Sequence, residues 1–263
     1  MKYKYSIYRP SGNDTALVHE LVNDISLKKE INDSIQKKHS NVEQVGFVGK
    51  IGDEYYLEMS GGEFCGNATR SAIHYFKNGK PGEMSIHVSG VSKTLNGGIY
   101  PDGRVWVNMP IMSSLEKVFQ KGNFDVVEME GITHVIVPIK SNEYDPDKLK
   151  SEALAILRSL NLTENVAASG VMFTTKTERG YKIDPVVWVK NLKTLYYETA
   201  CGSGTTAVGL YESKRKNSSL DIDITQPSGM DIAISVTKGD SRFVSASIVG
   251  TVQLFDKDLE VEL

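Results

Sequence analysis

Two cysteines stand in matching sequence settings, each in a Cys-Gly pair just before a run that predicts a helix. The first setting reads Cys65-Gly-Asn-Ala-Thr and the second reads Cys201-Gly-Ser-Gly-Thr. A cysteine on a turn that enters a helix faces the free N–H groups of the first turn and the positive end of the helix dipole. That setting lowers the pKa of a thiol and favours the thiolate. We therefore expect Cys65 and Cys201 to be catalytic acid/base groups.

Two thiols on opposite faces of one carbon can invert that carbon. One thiolate removes the proton from the Cα of an amino acid, and the opposing thiol delivers a proton to the other face. The developing charge flows into the substrate carboxylate, where backbone N–H groups can stabilise it. The pair therefore predicts a cofactor-independent amino-acid racemase or epimerase.

Other roles for two cysteines are less consistent with the sequence. A structural disulfide is not expected in a reducing compartment. A zinc site needs further ligands, and none of the histidines lies at ligand spacing from either cysteine: His19, His39, His74, His87 and His134. Two inert buried thiols are the main remaining alternative. No metal and no cofactor are expected.

Composition excludes several classes of partner. The 263-residue chain has a formal net charge of −3, so no basic surplus points to nucleic acid or to an anionic membrane surface. The N-terminus lacks the apolar run of a signal peptide, and no stretch is apolar enough to span a membrane. We expect a cytoplasmic protein with a small amino-acid substrate, and a homodimer stays open.

The elements around the cysteines recur in the two halves of the chain. Cys, Gly, Thr and Tyr coincide at offsets 0, 1, 4 and 10 of the two motifs. Alternating patterns predict antiparallel strands at 84–90, 104–110, 220–226, 230–237 and 242–249. Further helices are predicted at 14–38 and 145–160. We expect two similar α+β lobes with a ligand cleft between them. The boundary is expected between Pro110 and Gly131.

The residues around both cysteines resemble the catalytic motifs of the diaminopimelate epimerase family, Glu63-Phe-Cys-Gly-Asn-Ala-Thr-Arg70 and Glu198-Thr-Ala-Cys-Gly-Ser-Gly-Thr-Thr206. The resemblance implies two pseudo-symmetric lobes, each a β-barrel-like sheet around a central helix, with the active site in the cleft between them. Residues 1–115 would carry Cys65 and residues 116–263 would carry Cys201, with the last strands free to return to the first lobe. Backbone N–H groups that would hold the α-carboxylate belong to Gly66, Asn67, Gly202 and Ser203, and the side chains of Asn13 and Gln44 would line the same cleft.

The substrate implied by that family is disfavoured by one departure. The family carries an arginine before its second cysteine, where this chain reads Leu195-Tyr-Tyr-Glu-Thr-Ala200. A second charged head group would lose a bidentate partner there. Finer similarities lie in Met59-Ser-Gly-Gly-Glu63, Glu43-Gln-Val-Gly-Phe47 and Gln226-Pro-Ser-Gly229, which resemble the histidine racemases of opine-type metallophore pathways.

That finer resemblance implies reversible conversion of L-histidine to D-histidine, with Glu43 and Glu198 against the substrate amine or imidazole. A diaminopimelate epimerase, a racemase of another amino acid and a non-catalytic amino-acid-binding protein stay open. Phenazine-type isomerases use a carboxylate in place of the cysteines, and proline racemase relatives show Cys-Gly-His first. Both are disfavoured by Cys65-Gly-Asn67 and Cys201.

Overall fold

Strands make up most of the fold, a mixed α+β architecture. The computed structural model describes residues 1–140, 145–178 and 180–263. Its α-helices are α1 (Ile25–Lys38), α2 (Gly66–Lys77), α3 (Pro146–Ser159) and α4 (Gly202–Lys216). None of the helices in the described residues is long and apolar enough to cross a membrane.

The strands of the first half and the last strand form one continuous run of pairings. They are β1 (Lys2–Pro10), β2 (Asp14–Val18), β3 (Val42–Ile51), β4 (Glu54–Met59), β5 (Gly82–Val88), β6 (Leu95–Ile99), β7 (Val105–Asn108) and β17 (Val252–Glu262). β17 pairs with β1, and each of β1 to β6 then pairs with the next strand along the chain.

The remaining strands form a second run. They are β8 (Val118–Lys121), β9 (Phe124–Met129), β10 (Ile132–Pro138), β11 (Ala168–Lys176), β12 (Gly180–Val189), β13 (Thr194–Tyr197), β14 (Leu220–Thr225), β15 (Asp231–Lys238) and β16 (Phe243–Gly250). The order of pairing is β8, β9, β10, β11, β12, β14, β15, β16. β14 pairs with the N-terminal part of β12, and β13 pairs with its C-terminal part. Antiparallel pairing of β7 with β16 joins the two runs.

The same order of connections is built twice. In the first run β2 and β3 are parallel across α1, and β4 and β5 are parallel across α2. In the second run β10 and β11 are parallel across α3, and β12 and β14 are parallel across the segment that contains α4. The other neighbours in both runs are antiparallel. The sequence similarity around the cysteines thus coincides with equivalent places in a repeated topology.

The two cysteine-containing helices are the buried ones. Cys65 is the N-cap of α2 and Cys201 is the N-cap of α4, which confirms both predicted helix starts. The helices end alike, at Asn78 and Asn217, whose φ values of 51° and 53° are left-handed. Such a residue satisfies carbonyls of the last turn and stops the helix. Each helix is therefore a defined unit whose first turn is fixed by a thiol.

The predicted helix at 14–38 is wrong over its first part. Asp14–Val18 is strand β2, which is buried along its whole length and pairs with both β1 and β3. The helix begins only at Ile25, after the N-cap Asp24, whose side chain accepts a hydrogen bond from the Leu27 N–H. The helix predicted at 145–160 is confirmed by α3, with Asp145 as its N-cap.

Candidate active site

A cavity lies between the first turns of α2 and α4. It is lined by both cysteines and by residues of β3, β10, β11 and β12. Its volume of about 30 Å³ holds one or two water molecules. An amino acid therefore needs the lining to separate before it can enter.

Each thiol caps the helix that follows it. Cys65 Sγ accepts a hydrogen bond from the Ala68 N–H at 3.4 Å, and Cys201 Sγ accepts one from the Gly204 N–H at 3.3 Å. Both side chains are buried, at 7% and 2% exposure, yet both line the cavity. The two sulfur atoms thus occupy equivalent N-cap positions, one on each helix.

The two helix starts touch each other. The Asn67 side-chain N–H donates to the Ala200 carbonyl at 2.7 Å, which joins the first turn of α2 to the residue before Cys201. A Cβ at Gly202 would lie 2.8 Å from Ile248 Cδ1 and 3.3 Å from Asn67 Oδ1. Glycine at 202 therefore permits the close approach, which places the first-turn N–H groups of both helices at one cavity.

A bridge of hydrogen bonds runs between the thiols. The Cys65 thiol donates to Gln44 Oε1 at 2.7 Å, and Gln44 Nε2 donates to Glu198 Oε1 at 2.7 Å. The Glu198 carboxyl in turn contacts the Cys201 thiol. Gln44 lies on β3 and Glu198 follows β13, so the bridge also joins the two halves of the chain.

Glu43 is held by donors from both halves. Its carboxyl accepts from Asn13 Nδ2 at 2.5 Å, from the Thr199 N–H at 3.1 Å and from the Thr199 hydroxyl. Burial nevertheless dominates and raises the pKa of Glu43 to about 7. Burial, together with the charge of Glu43, raises the pKa of Glu198 to about 8.

The expectation of a lowered thiol pKa is wrong for the protein as it stands. Burial raises the pKa of Cys65 and of Cys201 above the usual thiol value, and the negative charge of Glu198 raises both further. The first-turn N–H groups of Ala68 and Gly204 lower them, as predicted, but by less than burial raises them. Both thiols are therefore neutral in this closed site.

Nine of the ten residues singled out from the sequence line the cavity: Glu43, Gln44, Cys65, Gly66, Asn67, Glu198, Cys201, Gly202 and Ser203. Asn13 is not among the described lining residues. It is fully buried behind Glu43, where Thr15 also donates to it. Its contact with the cavity is through the Glu43 carboxyl.

Sequence reasoning missed several buried polar residues around the thiols. Arg70 is fully buried, donates to Asn67 Oδ1 at 2.8 Å, and has its pKa lowered to about 10 by burial. His134 contacts the Ser203 hydroxyl through Nε2 at 2.9 Å, and burial lowers its pKa to about 3, so its ring is neutral. The Gln226 side chain accepts from the Cys201 N–H at 2.9 Å. Arg70 ends the first cysteine motif and Gln226 begins the segment Gln226-Pro-Ser-Gly229, so their places in these motifs could have pointed to them. His134 lies in no motif, and nothing in the sequence pointed to its place beside the site.

Acidic side chains dominate the charge of the site. Glu43, Glu63 and Glu198 line the cavity, and no lysine, arginine or histidine is among its described lining residues. Across the described ranges, no group of three or more His, Cys, Asp or Glu side chains is arranged to hold a metal ion.

Substitution of Gly204 by alanine is expected to destabilise the protein by about 1–3 kcal/mol through overpacking. A Cβ there would lie 2.1 Å from Met172 Sδ and 3.1 Å from Cys201 Sγ. The measurement is a thermal melt, with Gly239→Ala as the control because a Cβ at 239 has its nearest neighbour at 3.6 Å. The melting temperature should fall by several degrees in the first variant only. Equal melting temperatures would contradict the packing described here.

Comparison with known proteins identifies similar sequences along almost the whole chain. The family described as "Histidine racemase CntK N-terminal domain" matches residues 2–257. A histidine racemase of Fusobacterium nucleatum subsp. nucleatum is 34% identical over 233 residues, which are 84% of each chain. A histidine racemase of Staphylococcus aureus is 28% identical over 245 residues, which are 88% of each chain.

Solved structures with a similar fold are distant in sequence. A hydroxyproline epimerase from Agrobacterium vitis has a TM-score of 0.68 at 11% identity, over 99% of this chain and 91% of that chain. A phenazine biosynthesis protein of the PhzF family from Enterococcus faecalis has a TM-score of 0.61 at 18% identity, over the full length of both chains. At these identities the likeness is one of fold.

Proposed function

The chain belongs to the family of the histidine racemase CntK N-terminal domain, and from this premise we propose that it interconverts L-histidine and D-histidine by moving the Cα proton between Cys65 and Cys201. The observation that carries the proposal is the pair of buried thiols that cap two touching helix starts at one cavity. The enzyme is an isomerase of the racemase and epimerase type. No cofactor takes part in the proposed reaction.

The substrate carboxylate would lie between the two helix starts. Backbone N–H groups of Gly66 and Asn67 on one side, and of Gly202 and Ser203 on the other, are the donors offered to it. They become more valuable as proton removal sends negative charge from Cα into the carboxylate. The contact of Asn67 with Ala200 supports this placement because it holds the two sets of donors together.

Each turnover exchanges the protonation states of the two cysteines. One thiolate takes the proton from Cα while the opposing thiol gives its proton to the other face, so the number of protons on the enzyme is unchanged. The enzyme then holds the opposite thiolate and is ready for the opposite enantiomer. The equivalent settings of Cys65 and Cys201 suit a reaction that is nearly the same in both directions.

A thiolate needs a nearby cation in this acidic cavity. Because Glu198 raises the pKa of both thiols, a positive charge beside Glu198 would lower them. The α-ammonium of the substrate would supply that charge and would be bound by Glu198 and Glu43. It would replace the Gln44 side-chain N–H that now donates to Glu198. Asn13 would then act by positioning Glu43.

A substrate with a second carboxylate fits this cavity poorly. Diaminopimelate would bury its distal carboxylate where no lysine, arginine or histidine is among the described lining residues. An unpaired buried carboxylate is strongly unfavourable. The acidic lining favours a substrate with an amine and a neutral or cationic side chain.

The reaction site would sit between two lobes of similar topology. The repeated order of strand pairing supports a lobe at residues 1–115 and another at 116–263, each with a sheet around α2 or α4. The pairing of β17 with β1 would return the end of the chain to the first lobe. Separation of the lobes would give an amino acid the room that the closed cavity lacks.

Deuterium exchange would test the proposed reaction. The enzyme is incubated in D₂O with each L-amino acid and with diaminopimelate, and the α-proton signal is followed by NMR. L-Histidine alone should gain α-deuterium and reach equal amounts of both enantiomers, whereas the Cys65→Ser/Cys201→Ser protein should leave it unchanged. If no amino acid gains deuterium, the racemase proposal fails. If diaminopimelate alone does, only the choice of substrate fails.

A further inference from the structure

One carboxyl oxygen in the cavity has no hydrogen-bond partner among the described residues. Glu63 is 7% exposed and lines the cavity, and its Oε2 is buried and unpaired. Glu43 and Glu198, the other carboxyl groups of the cavity, both accept hydrogen bonds from neighbours. Buried polar atoms are normally paired, so an unpaired one in a ligand cavity indicates a partner that arrives with the ligand.

Two aliphatic side chains lie beside this oxygen, while the backbone N–H groups of Gly61 and Glu63 face the same carboxyl group. A Cβ at Gly61 would lie 2.5 Å from Glu63 Oε2, 2.9 Å from Val189 Cγ1 and 3.3 Å from Leu192 Cγ. The carboxyl oxygen and two aliphatic side chains therefore meet around the same glycine, and Glu63, Val189 and Leu192 all line the cavity. Apolar walls with one hydrogen-bond acceptor suit a flat ring that carries an N–H donor.

The electrostatics of the cavity point the same way. Burial raises the pKa of Glu63, and the charge of Glu63 raises the pKa values of Cys65 and Glu198. An ionised Glu63 is therefore costly without a ligand and favourable beside a donor or a cation. A hydrogen bond from an N–H group would offset the cost of burial.

We propose that Glu63 is a specificity-determining residue whose free Oε2 accepts a hydrogen bond from a side-chain N–H of the substrate, which in histidine is an imidazole N–H. The inference rests on the proposed function and deepens it. Glu43 and Glu198 would serve the α-ammonium, and Glu63 would select the ring. Amino acids with a ring of similar size but no N–H would enter the cavity and leave the carboxyl unpaired, which is the discrimination that buried polar groups give.

The test compares two substrates in one assay. The kcat/KM for α-deuterium exchange is measured with L-histidine and with L-β-(2-thienyl)alanine, whose five-membered ring has no N–H. The ratio of the two values is compared in the wild type and in Glu63→Met, which removes the acceptor at similar length. The ratio should fall about 100-fold in Glu63→Met, because only histidine loses a hydrogen-bond acceptor. General damage to the site would lower both rates and leave their ratio unchanged.

Two further variants keep the comparison decisive. Tyr196→Phe removes a hydroxyl from the same cavity, one that is already engaged by Gln36 Nε2 at 3.2 Å, and should leave the ratio unchanged. Glu63→Gln keeps the shape of the side chain but not its charge, and should lower the ratio about tenfold even if Glu63→Met fails to fold. A ratio unchanged in a folded Glu63 variant, with wild-type histidine exchange intact, would overturn the role of Glu63 and leave the proposed function standing. Absence of exchange in the wild type would remove both.

Discussion

Single replacement of Cys65 or of Cys201 by serine is expected to lower the rate of histidine racemisation about 1,000-fold. A hydroxyl is a far weaker acid than a thiol. Serine therefore does not ionise readily enough to act as the base, and it gives up its proton less readily when it has to act as the acid. Because inversion needs both faces, either change alone is enough to slow it. Racemisation would be followed by circular dichroism of the histidine solution or by chiral chromatography.

The serine variants are well suited to separate chemistry from folding. Serine is a favoured N-cap, so α2 and α4 keep a side-chain acceptor for the N–H groups of Ala68 and Gly204. Melting temperatures should stay close to the wild type, and the double variant should be little slower than either single one. Asp24→Ser, an N-cap exchange on α1, serves as the control and should keep activity. A single serine variant that racemises at the wild-type rate would refute the two-thiol mechanism.

The free energy of unfolding of the substrate-free protein is expected to fall as pH rises from 7 to 8. Glu198 has a pKa of about 8 in the folded protein, well above that of an exposed carboxyl, so the folded state keeps a proton that the unfolded state has lost. Stability present at low pH is therefore lost as pH rises through 8, at about 1.4 kcal/mol per pH unit for one proton. Urea unfolding at several pH values would measure the slope.

The choice of window limits the contribution of the histidines. Burial lowers the pKa of His134 to about 3, and it also lowers those of His19 and His74, so these rings are neutral in the folded protein above pH 7. In the unfolded chain a histidine has a pKa of about 6.5, so its remaining charge is lost over the lower part of the window, and the slope is read from its upper part. Glu198→Gln should flatten the slope, whereas Glu164→Gln, an exposed substitution, should not. A stability that rises between pH 7 and 8 would contradict the protonated Glu198 described here. Above pH 8.5 the buried thiols should extend the fall, because only the unfolded chain ionises them readily.

Local signals predicted the two helices that begin at the cysteines. Cys65 and Cys201 precede short helix-forming runs with glycine at the next position, and the structure begins α2 and α4 there. The same local reasoning failed at Asp14–Val18, because pairing with β1 and β3 decides that segment. It also missed β6, whose Leu-Asn-Gly-Gly-Ile sequence has weak strand propensity and whose glycines allow Ile73 and Trp106 to approach.

The burial of the site by residues distant in sequence could not be predicted from the motifs alone. The N–H groups beside the thiols follow from the Cys-Gly motifs, but the desolvation that raises the pKa of Cys65 and Cys201 depends on how completely the two halves close over them. The unpaired oxygen of Glu63 is likewise a property of what surrounds it. An acidic residue before each cysteine was visible in the sequence, whereas which of them lacked a partner was not.

The pairing of β1 with β17 imposes an order on how this enzyme is made. During synthesis β1 emerges before the other described strands, yet one of its two neighbours emerges after all of them. An unpaired strand edge invites association with other chains. The nascent first half therefore keeps an open strand edge until β17 has been synthesised. A shortened chain that ends before β17 should accordingly aggregate more than a chain that includes it.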